Sequence, residues 1–179
     1  MSKMKQSTQK DARQRIKNGS PKDAIALLQA DHRQVEEWFS EFEKARDSKR
    51  KWTLAKQICT ALKVHTQIEE EIFYPAFLEA TEDEDMHHEA EVEHTGAKRL
   101  IADIESRNSD EYFDARVTVL SEMIKHHVKE EEQPDGMFAK ARRSEMDLDE
   151  IGEQLQARKS ELEGDSSLLG KTKKMFAAA

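Results

Sequence analysis

The chain has 179 residues, about one domain's worth, with 37% charged residues, 36% hydrophobic residues and a net charge of −8. Six glycines and three prolines leave too little punctuation for the turns of a β-sandwich or barrel, whereas the polar balance suits amphipathic helices that each need one apolar stripe. No run approaches the ~20 apolar residues of a membrane span, the basic N-terminus has no apolar stretch behind it as a signal peptide would, and the lone cysteine, Cys59, excludes an intramolecular disulfide and a multi-thiolate metal site.

Residues 1–22 hold seven basic residues and one acid, so this stretch is +6 and the remainder −14. Residues 1–19 read as a basic flexible arm. The acidic body argues against nucleic-acid binding as the main task, since phosphate contacts need a positive surface. Ser20-Pro21-Lys22-Asp23 reads as an N-cap with proline in the first turn, opening a helix that runs to about Arg46. After a polar connection at Asp47–Lys51, a second helix covers roughly Trp52–Ala80. An acidic turn at Thr81–Asp85 leads to a third helix over roughly Met86–Ser106, and a turn at Arg107–Asp110 to a fourth that begins near Glu111 and fails at Pro134-Asp135-Gly136. Ser144 is positioned to cap a fifth helix with Leu148, Ile151, Leu155 and Leu162 at helical spacing, and Asp165–Ala179 reads as a tail. The predicted fold is all-α: a four-helix up-and-down (antiparallel) bundle over residues 20–145, with the basic arm before it and a short additional C-terminal helix and tail over 146–179.

Stripes at three- and four-residue spacing define the predicted core. They are Ile25, Leu28, His32, Val35, Phe39 and Phe42; Ile58, Leu62, His65, Glu69, Ile72 and Ala76; His87, Ala90, His94, Ala97, Ile101 and Ile104; and Phe113, Val117, Leu120, Ile124, His127 and Glu131. Each is apolar apart from histidine or glutamate. Counted from turn centres near 49, 82 and 110, these polar positions lie at matching depth, 17 and 16, 13 and 12, and 16 and 17 residues away. Six ligand-type side chains, His32, His65, Glu69, His94, His127 and Glu131, are therefore aimed at one layer. Buried carboxylates cost several kcal/mol unless neutralised, and a bound cation offsets that cost. Mutual His–Glu hydrogen bonding is the alternative.

Six nitrogen and oxygen donors exceed the four of a structural zinc site, and four imidazoles are too many for calcium or magnesium. The set suits iron, with manganese or zinc as alternatives. The pair His65/Glu69 recurs as His127/Glu131, each at i, i+4, which points to two metal ions with Glu69 and Glu131 as bridges. His126/Glu130 has the same spacing but leaves the Val117–Leu120–Ile124 stripe, so it is the alternative pair. Glu91, one turn from His94, is a further alternative ligand. His87, about 10 Å below His94, and His88 read as non-ligands. Glu70, Glu71, Glu130 and Glu132 read as ordinary exposed helix acids.

Four segments match a known pattern in order: Asp31-His32-Arg33; His65-Thr66-Gln67-Ile68-Glu69-Glu70-Glu71-Ile72-Phe73-Tyr74-Pro75; Glu91-Val92-Glu93-His94; and His126-His127-Val128-Lys129-Glu130-Glu131-Glu132. Over roughly residues 20–145 the chain resembles the hemerythrin-like HHE cation-binding family. The resemblance implies a four-helix bundle around a non-haem di-iron centre, two iron ions with an oxo bridge as a candidate, held by His32, His65, Glu69, His94, His127 and Glu131. It implies a small gaseous or peroxide ligand (dioxygen, peroxide or nitric oxide) and a role as sensor, scavenger or stress-response factor; the lone cysteine and the lack of a signal-peptide pattern make the cytoplasm the default compartment. Oxygen-carrying hemerythrins differ at two points: they have a second histidine where this chain has Ala90, and they end in H-x-x-x-x-D rather than H-x-x-x-E. The missing imidazole leaves an open position for a ligand. Gln133-Pro134-Asp135-Gly136 also delays Met137-Phe138 by about two residues relative to many relatives, which puts the fourth helix's end within a turn of Glu131.

Two other functions compete. A ferritin-like carboxylate oxidase or iron-mineralising enzyme would use Glu-x-x-His on two helices, and only Glu91-x-x-His94 is present. An iron- or redox-reporting interaction module would work through the arm or the last helix. No general acid is evident beside the centre, so committed catalysis is not indicated, although peroxide turnover stays open. Cys59 reads as a small buried hydrophobe, with a redox-sensing thiol as the alternative. Trp38 and Trp52 read as closing one end of the bundle or as interface residues, and Met137-Phe138 and Met175-Phe176 as packing or docking elements.

Overall fold

The computed structural model describes residues 23–107 and 110–176, with side chains described up to residue 164. The expected cap at Ser20 and the basic arm lie outside the described residues, as do the side chains of Met175 and Phe176. Everything described is helical or connecting: α1 (Ala24–Lys44), α2 (Ser48–Ile68), a π-helical turn (Glu69–Phe73), α3 (Tyr74–Thr81), α4 (Glu84–Ser106), α5 (Phe113–Glu132), α6 (Met137–Arg143) and α7 (Leu148–Phe176).

Short acids set the helix starts. The Asp23 carboxylate accepts from the Ala26 amide at 2.8 Å, Asp47 from Arg50 at 2.8 Å, Asp83 from Met86 at 3.2 Å and Asp147 from Glu150 at 3.0 Å. Asp47 therefore starts the second helix at Ser48, not near Trp52, and Asp147 rather than Ser144 caps α7. Ser144 instead ends α6. Glu82 turns the chain between α3 and α4 with a positive φ of 54°. Two elements differ in extent from the expectation. α6 is a further helix, and α7 is long, continuing through Phe176 where a tail was expected from Asp165.

The expected stripes of α1 and α5 are buried throughout, and that of α4 is buried from Ala90 onward. The second helix departs from expectation because one extra residue is wound into the π-turn. Its buried face then moves by one position, from the predicted Ile72 and Ala76 to Phe73 and Phe77, and it brings Tyr74 inside.

Two apolar clusters form. One gathers Val35, Phe39 and Phe42 of α1, Leu54, Ile58 and Leu62 of α2, Ala97, Ile101 and Ile104 of α4, and Val117, Leu120 and Ile124 of α5. The other gathers Ile25 and Leu28 of α1, Ile68, Phe73, Tyr74 and Phe77 beyond α2, Ala90 of α4, Met137 and Phe138 of α6, and Ile151 and Leu155 of α7. On α1, α2 with its π-turn, α4 and α5, the buried His32, His65, Glu69, His94, His127 and Glu131 stand at the boundary between the two. α7 lies against α1 so closely that a Cβ on Gly152 would stand 2.8 Å from the Ala24 nitrogen.

Candidate metal centre

The boundary between the two clusters is a layer of charge-bearing side chains. His32, His65, Glu69, His94, His127 and Glu131 are all buried. They form two groups of converging donors, His32–His65–Glu69–Glu131 and Glu69–His94–His127. Each group is built on a pair of imidazoles that face each other through Nε2, His32 and His65 at 3.0 Å and His94 and His127 at 3.2 Å.

The two carboxylates lie between the pairs and offer one oxygen to each. Glu69 places Oε1 3.2 Å from His65 Nε2 and Oε2 3.5 Å from His94 Nε2. Glu131 places Oε2 3.3 Å from His32 Nε2 and Oε1 3.6 Å from His127 Nε2. Donors bound to one ion at ~2.1 Å stand ~3.0–3.4 Å apart, so both pairs have the spacing of ligands to a common cation. Both Glu69 oxygens and Glu131 Oε2 are buried without a well-directed hydrogen bond among the described residues. Orphaned acceptors of this kind are costly in a protein interior. Two cations would satisfy them, so the donor set fits the metal that the sequence implies.

Behind the histidines is a second tier that the sequence reading missed. Each Nδ1 faces a carboxylate on a neighbouring helix. Glu132 of α5 contacts His32 of α1 at 2.7 Å, Asp31 of α1 stands 3.5 Å from His65 of α2, Glu70 of the π-turn contacts His94 of α4 at 3.0 Å, and Glu93 of α4 contacts His127 of α5 at 2.7 Å. The contacts close a ring around the four helices. A carboxylate hydrogen-bonded to Nδ1, as at His32, His94 and His127, fixes the tautomer that leaves Nε2 as donor to a metal and raises its basicity, while Asp31 stands near His65 Nδ1 without a well-directed hydrogen bond. Glu70 and Glu132, expected to be ordinary exposed acids, are members of this ring. Their sequence signal was present: all four acids are the immediate neighbours of a candidate ligand.

Without a cation, protons are favoured on three members of the layer. Burial works against charge on His65, but Glu69 and Asp31 outweigh it and push the imidazole up to about 10. His127 is likewise raised to about 9, against burial, by Glu131 and Glu93. Burial and the adjacent Glu69 push Glu131 up to about 8. Burial holds His32 and His94 below the usual histidine range.

Three further groups complete the site. The Tyr74 hydroxyl donates to Glu131 Oε1 at 3.2 Å and lies 3.1 Å from His94 Nε2. It is a buried proton donor where none was expected, because the one-residue shift of the π-turn could not be read from periodicity. Phe138 of α6 stacks on His32 with centroids 5.8 Å apart and meets Phe73 edge-on at 5.7 Å. On the opposite side, Val35, Leu62, Ile124 and Val128 enclose a cavity of about 10 Å³ against the four histidines, room for about one water-sized molecule.

The alternative ligands lie elsewhere. Glu91 is 53% exposed, 3.8 Å from His87. His126 is 62% exposed and pairs with Glu130 at 3.2 Å on the surface. His87 contacts the Tyr74 ring and joins neither donor group. The helix end near Glu131 is held tightly. α5 closes at Gln133, and Gly136 folds back so far that a Cβ there would stand 2.3 Å from the Glu130 carbonyl oxygen. Cys59 is buried and its thiol is pushed up to about 12 by burial. Trp38 and Trp52 pack against the first apolar cluster, Trp52 with its ring 6.0 Å from that of Phe113.

Residues 23–141 match the family model described as Hemerythrin HHE cation binding domain. A similar solved structure is that of a hemerythrin HHE cation binding domain-containing protein from Mycobacterium kansasii. It is 21% identical with a TM-score of 0.70, and the match covers 84% of this chain and 93% of that one. No curated protein matches the chain. Among the described residues no helix is long and apolar enough to cross a membrane.

Proposed function

Because this chain belongs to the hemerythrin HHE cation-binding domain family, we propose that its core holds two iron ions and binds a small ligand, dioxygen, peroxide or nitric oxide, as a sensor, scavenger or stress-response factor. Manganese or zinc are the alternative ions. We also infer an up-and-down, antiparallel arrangement for α1, the α2–α3 rod, α4 and α5. Its support is the order in which α1, the α2–α3 rod and α4 meet the two apolar clusters, each in reverse of the one before, with α5 running along the first cluster toward the second-cluster residues of α6.

The observation that carries the metal reading is the pairing of four Nε2 atoms around two carboxylates with orphaned oxygens. In this reading His32 and His65 would hold one ion and His94 and His127 the other, with Glu69 and Glu131 offering an oxygen to each. When bound, iron supplies reversible redox and ligand-binding chemistry. The residues do the rest. The outer carboxylates hold the imidazoles in one tautomer. The apolar walls exclude water and limit the ligand to a few atoms. The Tyr74 hydroxyl offers a hydrogen bond on the glutamate side. Ala90 leaves open the position that oxygen carriers fill with imidazole. A single cysteine kept as a buried thiol fits a reducing compartment such as the cytoplasm.

Glu91 stands outside the cluster, which removes the one Glu-x-x-His pair on which a ferritin-like oxidase would draw. The test is elemental analysis of protein purified from its native host, with absorption spectra before and after dithionite and again in air. About two irons per chain and bands that bleach and return are expected. One zinc per chain, or no metal in an intact fold, would overturn the reading.

A further inference from the structure

Three of the four carboxylates that face the histidines are themselves backed by a fixed cation. Glu132 is paired with Arg33, Glu70 with Lys98 and Asp31 with Lys159. Glu93 breaks the pattern. Among the described residues its ion pairs run only to histidines, Oε2 to His127 Nδ1 at 2.7 Å and Oε1 to His126 Nε2 at 3.4 Å. A second carboxylate is brought to the same place, with Glu130 Oε1 3.2 Å from His126 Nε2. Where the other corners have a lysine or arginine, this one has two carboxylates and an imidazole, all offering donor atoms within 4.8 Å of one another.

The N–O spacings of 3.2 and 3.4 Å are those of ligands around one ion at ~2.1 Å. The corner also opens inward. Glu93 and Glu130 share the lining of a cavity of about 70 Å³ with His127 and Glu131. We propose that Glu93, His126 and Glu130 form a third cation site, for a divalent first-row transition-metal ion, at the mouth of the cleft leading to His127 and Glu131. One imidazole and two carboxylates suit Fe²⁺, Mn²⁺ or Zn²⁺ and leave positions for water, so an ion can be held and passed on. The ion takes the role at Glu93 that Arg33, Lys98 and Lys159 take at the other corners. The site stands on its own ligands, whatever the central layer holds.

The test titrates the full chain, with its central metal in place, with Zn²⁺ alone, and follows uptake by equilibrium dialysis and elemental analysis. His126→Ala and Glu130→Gln are compared with the wild type. Both positions are partly or largely exposed, and thermal melting confirms the fold. One further equivalent of Zn²⁺ is expected on the wild type, bound more than about tenfold more weakly by both variants while the central ions stay. No further equivalent on the wild type, or one of unchanged affinity in both variants, would overturn the third site. Loss of central ions from His126→Ala would overturn it too, and would move His126 into the central set. A chain without central metal whose outer equivalent vanishes in both variants would uphold the third site and refute the di-iron reading.

Discussion

Replacing Glu131 by glutamine should strengthen the metal-free fold and abolish its response to metal. Burial and the neighbouring Glu69 raise this carboxyl from the ordinary 4.5 to about 8 in the folded, metal-free protein. A folded value above the unfolded one means that folding takes up a proton. The stability this confers is complete below about 4.5 and is lost as pH rises through about 8. At about 1.4 kcal/mol per pH unit between the two values, the charged form costs on the order of 5 kcal/mol above pH 8. Glutamine has the same shape and carries no charge. Its carbonyl can keep the Tyr74 hydrogen bond of 3.2 Å, and its amide nitrogen stands where Oε2 lies 3.3 Å from His32 Nε2, as a donor to that lone pair. For a chain of this size 1 kcal/mol moves Tm by roughly 2–4 °C. Metal-free Glu131→Gln should therefore melt about 10–20 °C above the metal-free wild type at pH 9, with the gap closing toward pH 5. Melting curves by circular dichroism, with chelator or with added iron or zinc, test both halves. A metal-free variant that melts at or below the wild type at pH 9, or one that keeps the wild-type rise on adding metal, would refute the reasoning.

Glu132→Gln removes the charge facing His32 Nδ1 at 2.7 Å without removing a central donor, and metal affinity measured by competition with a chelator should fall about 10–100-fold. Gly136→Ala drives a Cβ toward backbone oxygens of Glu130 and Glu131 that cannot swing aside. Chemical denaturation should show a loss of about 1–3 kcal/mol, with reduced metal content because Glu131 is displaced. The Cys59 thiol, raised to about 12 by burial, stays protonated at pH 8. Alkylation followed by mass spectrometry should label it only under denaturing conditions, and rapid labelling of the native protein would revive the redox-thiol alternative.

The helical class and the six inward-facing ligand types were legible because histidine and glutamate interrupt otherwise apolar stripes at the same depth, a pattern that depends only on 3.6-residue periodicity and chain reversal. The second helix was legible as far as Glu69. Beyond it one extra residue rotates the face, and Phe73, Tyr74 and Phe77 replace the expected Ile72 and Ala76. No propensity or spacing rule announces a π-turn, so the Tyr74 hydroxyl was invisible. The outer acids carried only the weak signal of standing next to a candidate ligand. Asp31, Glu70, Glu93 and Glu132 have the composition of any solvated helix face, and only the packing of the next helix turns them toward an imidazole. α6 escaped notice because Pro134 and Gly136 read only as the end of the fourth helix, whereas the chain past them returns Phe138 onto His32.

The ring of outer carboxylates also bears on how the centre comes into being. Three of its contacts join helices that follow one another along the chain, so they can form as each hairpin collapses. The fourth, from Glu132 to His32, joins residues 100 positions apart and carries the largest loop-closure cost. Until the end of α5 reaches α1, His32 lacks its orienting partner and the centre lacks Glu131. A nascent or truncated chain that stops short of residue 132 would thus hold a helical, partly collapsed body with an incompetent centre. Metal uptake would then follow completion of the fold rather than guide it, and the loaded protein would carry in its colour a record that the last helix had docked.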